Sequence, residues 1–458
     1  MKITNKLGIV SIGLLLAALL LLAYGHTFNF PFQYDDYNVI VDEPKVHGLN
    51  AWWQSMPGMR PLLKLSYALN WQLESAPRFF RLFNLVCHFL SSILVWRFCL
   101  ALLPYLKVNT QNHQVIALLT ALLFALHPAH SEVVTYISSR STSLMSLLCM
   151  ASLLCFLSYM TKNRKPAYLL AGIVLWLLAI LVKEPAIVLP LLAWLMFKLV
   201  HPRASIYASF KQLASYKKLL LILLFSAPFV YVWLIPQYTN LVRQIFSPDK
   251  LYSQLISQPS AHAHYLTQTL FDLNLNVDYQ LNLPKTFNLQ AGLQAAWILA
   301  AGVMALIYFK RFPLISFCVL WWFVCLIPSN SIIPRLDIVS DRQIYMPSIA
   351  ALLLLASALA TLASRAKIFN FFWLLPALVL SYSLFSTWLR NWDYENEITL
   401  WQASVRQAPN NTRAWNNLGY AYKLNKQNDK AKLAFENALK IDANNYKAFI
   451  NLQQLKQH

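Results

Sequence analysis

Residues 7–24 read LGIVSIGLLLAALLLLAY, an apolar run of 18 residues that decides what kind of fold this chain can adopt. A helix of about 20 apolar residues crosses the hydrocarbon core of a bilayer. Lys2 and Lys6 precede the run, and the run is longer than the roughly 7–15 apolar residues of a signal peptide. It therefore predicts an uncleaved anchor with the N-terminus in the cytoplasm.

The composition extends this prediction to most of the chain. Hydrophobic residues make up 58% of the 458 residues and charged residues only 12%, whereas soluble proteins carry about 25% charged residues. The mean hydropathy is +0.45. Apolar runs predict spans at 7–24, 79–103, 115–127, 141–160, 166–182, 185–200, 218–237, 291–309, 312–328, 345–364 and 369–389. Residues 1–390 are thus predicted to form one all-α, polytopic membrane helix bundle of about eleven spans.

The net charge of +20 follows the predicted membrane topology and does not indicate nucleic-acid binding. Lys and Arg concentrate in alternate links between spans: Lys107, the cluster 162–165, Lys198 to Lys218, Lys310 with Arg311, and Arg365 with Lys367. Cytoplasmic links carry such an excess. The remaining links, including a first extracytoplasmic loop at 25–78, should face outward. Short connecting links favour a bacterial inner membrane, with the chain's C-terminal part periplasmic.

Asp35 and Asp36 follow Tyr34 in that first outward loop, a few residues past the first apolar run. Carboxylates at the lip of a membrane helix are costly beside lipid, so such groups usually coordinate a ligand or move protons. The alternative is a solvated loop whose acidic side chains cap the following helix. We predict that the pair is catalytic.

Five cationic side chains lie on predicted outward links, against the topological bias: Arg60, Arg140, Lys183, Arg335 and Arg342. Arginine suits bidentate contacts to phosphate, and lysine acts as a point charge. We expect these residues to bind a phosphate at the outer membrane surface. As alternatives, Arg140 and Lys183 snorkel from span ends, or Arg342 forms a local ion pair with Asp341.

Further polar residues accompany these cations and are predicted to bind substrate: His127, His130, Glu132, Glu184 and Tyr345. Two histidines and a glutamate resemble metal ligands in type. Pro128 interrupts any helix between them, however, and their spacing matches no established metal motif. A polar binding surface is the preferred interpretation. Lys183 and Glu184 are adjacent, so mutual neutralisation is the alternative for this pair.

After Arg390 the sequence becomes polar, and residues 391–458 fit a different kind of module. The pattern of one tetratricopeptide hairpin is formed by Trp415, Leu418, Gly419, Tyr422, Ala431, Phe435 and Ala438. Half-repeats flank it, around Trp401 and around Phe449. Such arrays need about three repeats to bury a continuous core. The tail is therefore expected to dock on the membrane domain, to dimerise, or to be marginally stable.

Several short motifs occur in a characteristic order along the chain. They are Tyr34-Asp35-Asp36, Arg60-Pro61-Leu62, the stretch 123–132 (LFALHPAHSE), Lys183-Glu184, Pro328-Ser329-Asn330 and the stretch 342–347 (RQIYMP), followed by the repeat. In this order the chain resembles the GT-C glycosyltransferases, most closely the transmembrane-and-TPR O-mannosyltransferases and their bacterial relatives. The resemblance covers essentially the whole chain. The tail has barely two repeats where those relatives carry many.

This resemblance implies transfer of a sugar from a polyprenyl-phosphate donor to a hydroxyl, with inversion, on the extracytoplasmic face. The acceptor would be a protein, a glycan or a lipid, and the tail would bind a protein partner. Asp35 or Asp36 would act as general base. The pair could instead hold a divalent cation, although we expect no cofactor and no metal. Two other functions stay open: a polyprenyl-phosphate flippase, and a non-enzymatic membrane-anchored TPR scaffold.

Overall fold

The computed structural model describes residues 8–456 except 57, 162–164, most of 204–247, 272–273, 281–287, 331–336 and 366–372. Its α-helices are α1 (Ile9–Tyr24), α2 (Leu49–Gln54), α3 (Pro61–Leu73), α4 (Pro77–Leu102), α5 (His113–Ala125), α6 (Ser131–Val134), α7 (Arg140–Thr161), α8 (Pro166–Val182), α9 (Leu189–Val200), α10 (Pro248–Phe271), α11 (Leu289–Ile307), α12 (Pro313–Leu326), α13 (Ser348–Arg365), α14 (Leu374–Trp392), α15 (Glu397–Gln407), α16 (Thr412–Leu424), α17 (Asn428–Ile441) and α18 (Tyr446–Lys456). No β-strand occurs among the described residues, which confirms the predicted all-α class.

Several of these helices are long and apolar enough to cross a bilayer, as expected of a multi-pass membrane protein. Four qualify within the described residues, namely Ile9–Asn29, Pro77–Tyr105, Ile137–Thr161 and Leu289–Ile307. A fifth candidate is the pair Thr110–Ala125 and Pro128–Val134, which is bent by 49°. Three further apolar helices in the described part of the chain are shorter than a span, and the predicted span 218–237 lies mostly outside that part. The count of about eleven spans is therefore not confirmed.

The breaks between helices have local causes in the sequence. Pro128 lacks a backbone N–H and cannot continue α5, so the chain bends there. Lys183-Glu184-Pro185 separates α8 from α9 in the same way, and a 3-10 turn at Glu184–Val188 joins the two helices. Both breaks fall in links that were predicted to face outward. The polar side chains of these links are consequently held on short, bent segments between packed helices.

The helices of the membrane domain pack through one large apolar core while other apolar faces remain exposed. Gly172 of α8 lets this helix approach α7, because a Cβ there would lie 2.6 Å from the ring of Phe156. The hydroxyl of Ser152 donates to the Gly172 carbonyl at 2.6 Å. Leu14 on α1 and Leu299 on α11 are each 68% exposed. Exposed leucines on helices of span length fit a surface that faces lipid.

The links predicted to be cytoplasmic meet at one end of the bundle. The Lys107 ammonium donates to the carbonyl of Lys310 at 2.8 Å. Close by in sequence, Asn112 donates to the hydroxyl of Ser364 at 3.3 Å. The links predicted to face outward contact one another elsewhere, through the side chains described in the next subsection. The two sets of links are thus separated in space, which agrees with the prediction that Lys- and Arg-rich links alternate with outward links along the chain.

The tail forms one tight helical hairpin, α16 and α17, flanked by α15 and α18, and it docks on the membrane domain. Gly419 permits the close pairing of α16 and α17, since a Cβ there would lie 2.6 Å from the buried ring of Phe435. A capping box formed by Asn396 and Thr399 begins α15. Arg413 of α16 forms an ion pair with Asp278 and, at 2.8 Å, with Asp337. Of the three expectations for this short array, docking is the one that the structure shows.

Candidate active site

Asp36 is the buried member of the acidic pair and ties two outward links together. One carboxylate oxygen accepts from the backbone N–H of Gln33 at 3.1 Å. The other accepts from the backbone N–H of Ser138 at 2.8 Å and from the Ser138 hydroxyl. Burial raises the pKa of Asp36 to about 6, although the hydrogen bonds from Ser138 oppose this rise. Both oxygens are thus engaged in holding the loop.

Asp35 has different surroundings although it is the next residue along the chain. It is half-buried, and its backbone N–H donates to the hydroxyl of Tyr136 at 3.0 Å. Among the described residues, no hydrogen bond or ion pair engages its carboxylate at contact distance. The charge of Asp35 nevertheless acts on Arg342. Of the two predicted catalytic residues, Asp35 therefore has the carboxylate that is available to a substrate.

Arg342 is held in place by Glu132. Glu132 is 2% exposed and accepts from the Arg342 backbone N–H at 3.1 Å and from the Ser340 hydroxyl at 3.2 Å. The guanidinium Nε of Arg342 lies 3.6 Å from the carboxylate of Glu132. The second and third outward links, which are more than 200 residues apart in sequence, therefore meet here. Glu132 positions Arg342, a role that is more specific than the predicted substrate contact.

The alternative that Arg342 forms a local ion pair with Asp341 is not what the structure shows. Asp341 turns the other way, and its carboxylate lies 3.6 Å from the guanidinium of Arg390 and accepts from the Tyr279 hydroxyl. Burial raises the pKa of Asp341; Arg390 opposes the shift and Glu132 adds to it. The two neighbours thus belong to two different ion pairs, because a 3-10 turn at Asp341–Ile344 points them apart.

Lys183 shares a cavity with Arg342. The Lys183 ammonium donates to the hydroxyl of Thr142 at 2.7 Å. Both cations and Thr142 line a cavity of about 60 Å³, together with Ser146 and Ser329. Two cations and three hydroxyls around one small space form a suitable environment for an anionic oxygen cluster such as a phosphate. The phosphate-binding role of these two residues stays a prediction.

Arg60 and Glu184 contact each other. The Arg60 guanidinium donates to both Glu184 oxygens at 2.9 Å, a bidentate pair that joins the first and fourth outward links. Arg60 itself has a left-handed backbone with φ 52° at the start of α3. The adjacent Lys183 and Glu184 therefore do not neutralise each other. The pair of Arg60 and Glu184 fixes the link that carries Lys183, and a direct phosphate contact by Arg60 stays a prediction.

Arg140 is placed differently from the prediction. It is fully buried and donates to Asn84 at 3.1 Å, to the Ser66 carbonyl at 2.9 Å and to the Phe80 carbonyl at 3.0 Å. The ring of Tyr67 also covers its guanidinium. These contacts occupy all three nitrogens, so Arg140 holds helices together and is not placed to meet a phosphate. Arg335 lies outside the described residues.

His127, His130 and Tyr345 serve as internal packing and hydrogen-bonding groups. His127 Nε2 lies 3.0 Å from the Thr269 carbonyl. His130 lies between the Phe124 carbonyl at 2.8 Å and the Ser348 hydroxyl at 3.1 Å. The Tyr345 hydroxyl lies 2.6 Å from His88 Nδ1. Their rings and hydrogen bonds help to hold the segment that carries Arg342. Substrate contacts by these three residues stay a prediction.

Two tail residues that hold the acidic loop, Tyr394 and Glu397, were not predicted from the sequence. Gln33 donates to the carbonyl of Tyr394 at 2.5 Å, and the backbone N–H of Tyr34 donates to the Glu397 carboxylate at 2.9 Å. The Tyr34 ring packs edge-on against Trp401 at 5.0 Å. No local sequence motif could predict these contacts, because more than 350 residues separate the partners. Arg390 could have been found, since it too is a cation next to a predicted outward region.

Over the part of the chain that the structure describes, no group of three or more His, Cys, Asp or Glu residues is arranged to hold a metal ion. The Asp pair offers a poor donor set for a cation, because both oxygens of Asp36 already accept hydrogen bonds from Gln33 and Ser138.

Comparison with known proteins agrees with this layout. The tetratricopeptide repeat family model matches residues 412–445. Protein O-mannosyl-transferase TMTC3 of mouse is 25% identical over 96% of this chain, and the human protein of that name 24% over 94%. Protein O-mannosyl-transferase Tmtc3 of Drosophila melanogaster is 26% identical over 88%.

The resemblance to the transmembrane-and-TPR O-mannosyltransferases is confirmed. The match runs through both the membrane domain and the tail, since the similarity to the mouse protein extends along nearly the whole of this chain. The chain spans about half the length of these curated relatives, which are covered to 52%, 51% and 51%.

Proposed function

We propose that this chain is a membrane glycosyltransferase that moves a sugar from a polyprenyl-phosphate donor to a hydroxyl of a protein acceptor. One observation carries the proposal: the Asp35 backbone N–H donates to Tyr136, four residues after the Glu132 that holds Arg342, and Arg342 shares a cavity with Lys183. The proposed base for the acceptor and the cations for the leaving phosphate are thus held by the same set of outward links. The relatives' name, protein O-mannosyl-transferase, supports mannose as the sugar and a protein as the acceptor.

In the proposed reaction Asp35 accepts the proton of the acceptor hydroxyl. The acceptor oxygen attacks the anomeric carbon on the side opposite the phosphate, and the bond from that carbon to the phosphate oxygen breaks. The electron pair of this bond leaves with the polyprenyl phosphate, so the configuration inverts. Arg342 and Lys183 stabilise the charge that grows on the phosphate and therefore favour the transition state over the ground state.

The reaction is proposed to be independent of a metal. Asp36 uses both of its oxygens to hold the loop, which leaves only Asp35 of the pair to interact with substrate. The cations Arg342 and Lys183 supply the positive charge that a divalent ion would otherwise give to the phosphate. Glu132 and the pair of Arg60 and Glu184 keep these cations in place.

We also propose the topology read from the charges: about eleven spans, a cytoplasmic N-terminus, and a tail on the outer face of a bacterial inner membrane. The contacts between Lys107 and Lys310 at one end of the bundle support it. The contacts between the tail and the Asp35 loop support a tail on the same face as the site.

Transfer by the purified full-length chain tests this function. Polyprenyl-phosphate mannose and a threonine-containing peptide should give mannosylated peptide with inverted configuration and free polyprenyl phosphate, also in the presence of a chelator. Nucleotide-linked mannose should give no product and serves as the matched control. The proposal is wrong if the lipid-linked donor yields neither glycosylated peptide nor hydrolysis, or if only the nucleotide-linked donor reacts.

A further inference from the structure

A groove separates the loop that carries Asp35 from the tail. It has a volume of about 370 Å³. Its lining consists of Tyr34, Tyr37, Asn38 and Asp42 on the loop side, and of Glu397, Trp401, Asn417, Tyr420 and Leu424 on the tail side. We call it the loop–tail groove. Its size is in the range of pockets that take part of a peptide or a small molecule.

The tail side of the groove presents one face of α16. Asn417, Tyr420 and Leu424 follow one another at spacings of three and four residues, so their side chains lie on the same side of the helix. Tyr420 is 45% exposed and Leu424 60%. Across the groove, Tyr37 is 41% exposed. Large apolar and aromatic side chains therefore line both sides of the groove and keep much of their surface exposed. Such side chains are typical of the hot spots of protein recognition.

The charge of the loop–tail groove is negative. Among its lining residues the charged side chains are Asp42 and Glu397, and both are carboxylates. These carboxylates act on the hydroxyl of Tyr37. Burial raises the pKa of Tyr37, and the negative charges of Glu397, Asp36 and Asp42 raise it further. A phosphate or an acidic segment would be repelled here. The groove thus complements the cavity of Lys183 and Arg342, which has the opposite sign.

The loop–tail groove begins next to the proposed base. Tyr34 lines it and immediately precedes Asp35. Glu397 lines it too and holds the Tyr34 backbone N–H at 2.9 Å. A chain lying in the groove would thus run past the residue next to Asp35, while the donor phosphate would bind at the cations on the other side.

We propose that the loop–tail groove binds the acceptor as an extended polypeptide segment in which lysine or arginine flanks the hydroxyl-bearing residue. The inference rests on the proposed function and adds the site and the chemical class of the acceptor. Exposed tyrosines supply contact area at low entropic cost, and Asp42 attracts the flanking cations. A groove of this composition disfavours acidic acceptors.

Binding of defined peptides to the full-length chain tests the groove without requiring catalysis. The probes are a fluorescent peptide with one threonine flanked by lysines and a counterpart in which glutamates replace the lysines. Fluorescence polarisation should give a Kd about tenfold lower for the lysine peptide. Tyr420→Ala should raise that Kd about tenfold. Asp42→Asn should reduce the preference for lysine over glutamate.

Two control variants lie elsewhere on the tail. Tyr446→Ala removes an aromatic side chain that is 66% exposed on α18. Asp429→Asn removes an exposed carboxylate on α17. Neither should change the affinity for either peptide. Because exposed positions are altered, all four variants should fold, and a thermal unfolding midpoint within the error of the wild type checks this.

The groove proposal is overturned if both peptides bind equally, or if Tyr420→Ala binds as tightly as Tyr446→Ala. Displacement of the lysine peptide by a mannose oligosaccharide would assign the groove to a glycan instead, and concentration-dependent dimerisation abolished by Tyr420→Ala would assign it to a second copy. Hydrolysis of the lipid-linked donor is measured in parallel. Intact hydrolysis with unselective peptide binding refutes the groove alone, whereas absent hydrolysis with selective binding refutes the proposed function alone.

Discussion

The two carboxylates of the acidic pair differ in what surrounds them. Asp36 is fully buried, with donors from Gln33 and Ser138, while Asp35 is half-buried and, among the described residues, its carboxylate accepts no hydrogen bond. A turn imposes this difference, since Tyr34 has a left-handed backbone with φ 46°. Burial without a full counter-charge makes a carboxylate easier to protonate. The two residues should therefore respond differently to substitution and to pH.

Substitution of Asp36 should reveal a pH-dependent contribution to stability. Its pKa is raised from 3.8 to about 6, so its contribution is fully present below about pH 4 and is lost as the pH rises through 6. The loss amounts to at most about 3 kcal/mol, at 1.36 kcal/mol per pKa unit. The thermal midpoint of the wild type relative to Asp36→Asn should therefore rise when the pH falls from 7 to 5. If the thermal midpoints of the two proteins changed in parallel with pH, the raised pKa of Asp36 would be contradicted.

Arg342→Ala should weaken use of the lipid-linked donor. Charge-assisted hydrogen bonds contribute about 1.5–3 kcal/mol, so donor affinity should fall at least about tenfold. Arg342→Lys should recover part of this loss, because it keeps the charge but not the guanidinium fork.

The matched control for Arg342 is Arg78→Ala, an exposed arginine at the start of α4 that should leave donor affinity unchanged. Binding of a labelled polyprenyl phosphate measures the effect. Unchanged affinity in Arg342→Ala, with Glu132 still buried and the protein folded, would reduce Arg342 to a structural partner of Glu132.

Among whole elements, the tail contributes to the site as well as to possible acceptor binding. The proposed catalytic residues lie upstream of Arg390, but Tyr394 and Glu397 hold the loop at Gln33 and at Tyr34. The tail pattern was readable because the large residues and Gly419 recur at helical spacing. Its docking was not readable, because ion pairs such as that of Arg413 with Asp278 join segments far apart in sequence.

A chain that ends at Arg390 should lose donor hydrolysis together with full transfer. The truncation removes the acceptors of Gln33 and of the Tyr34 N–H, so the Asp35 turn loses its support. A chain that ends at Asp442 is the matched control, since it lacks α18 but keeps α15 to α17 and both contacts. It should retain hydrolysis. Full hydrolysis by the shorter chain would mean that the tail serves only the acceptor.

For the whole molecule, the sequence predicted the all-α class, which the structure confirms, and it grouped the links that meet at the candidate site. The pattern of charges made this grouping possible, because topology restricts where Lys and Arg occur. The domain boundary near 390 and the outward orientation of these links stay predictions. The sequence could not assign partners within the cluster. Arg140 and Arg342 look alike as outward arginines, and only packing shows that one is sealed among rings while the other borders a cavity. The span count depends on segments where apolar helices are short.

The proposed topology is testable by labelling. Single cysteines at Asn38, Asn109 and Asn410, in a background without the six native cysteines, all lie at exposed positions. A membrane-impermeant thiol reagent should label the first and the last in intact cells but not the one at Asn109, next to the Lys107 link. Labelling of all three should follow permeabilisation. Protection at Asn410 would place the tail in the cytoplasm and contradict the eleven-span proposal.

The central claim is that Asp35 takes the acceptor proton beside a cationic phosphate site. It is tested most directly by comparing Asp35→Asn with Asp42→Asn in transfer of mannose from polyprenyl phosphate to a peptide. General-base catalysis contributes about 10²–10⁴-fold, so Asp35→Asn should lower kcat by at least about 100-fold with donor affinity intact, whereas Asp42→Asn should chiefly raise the KM for the peptide. Near-normal kcat in Asp35→Asn would contradict the account.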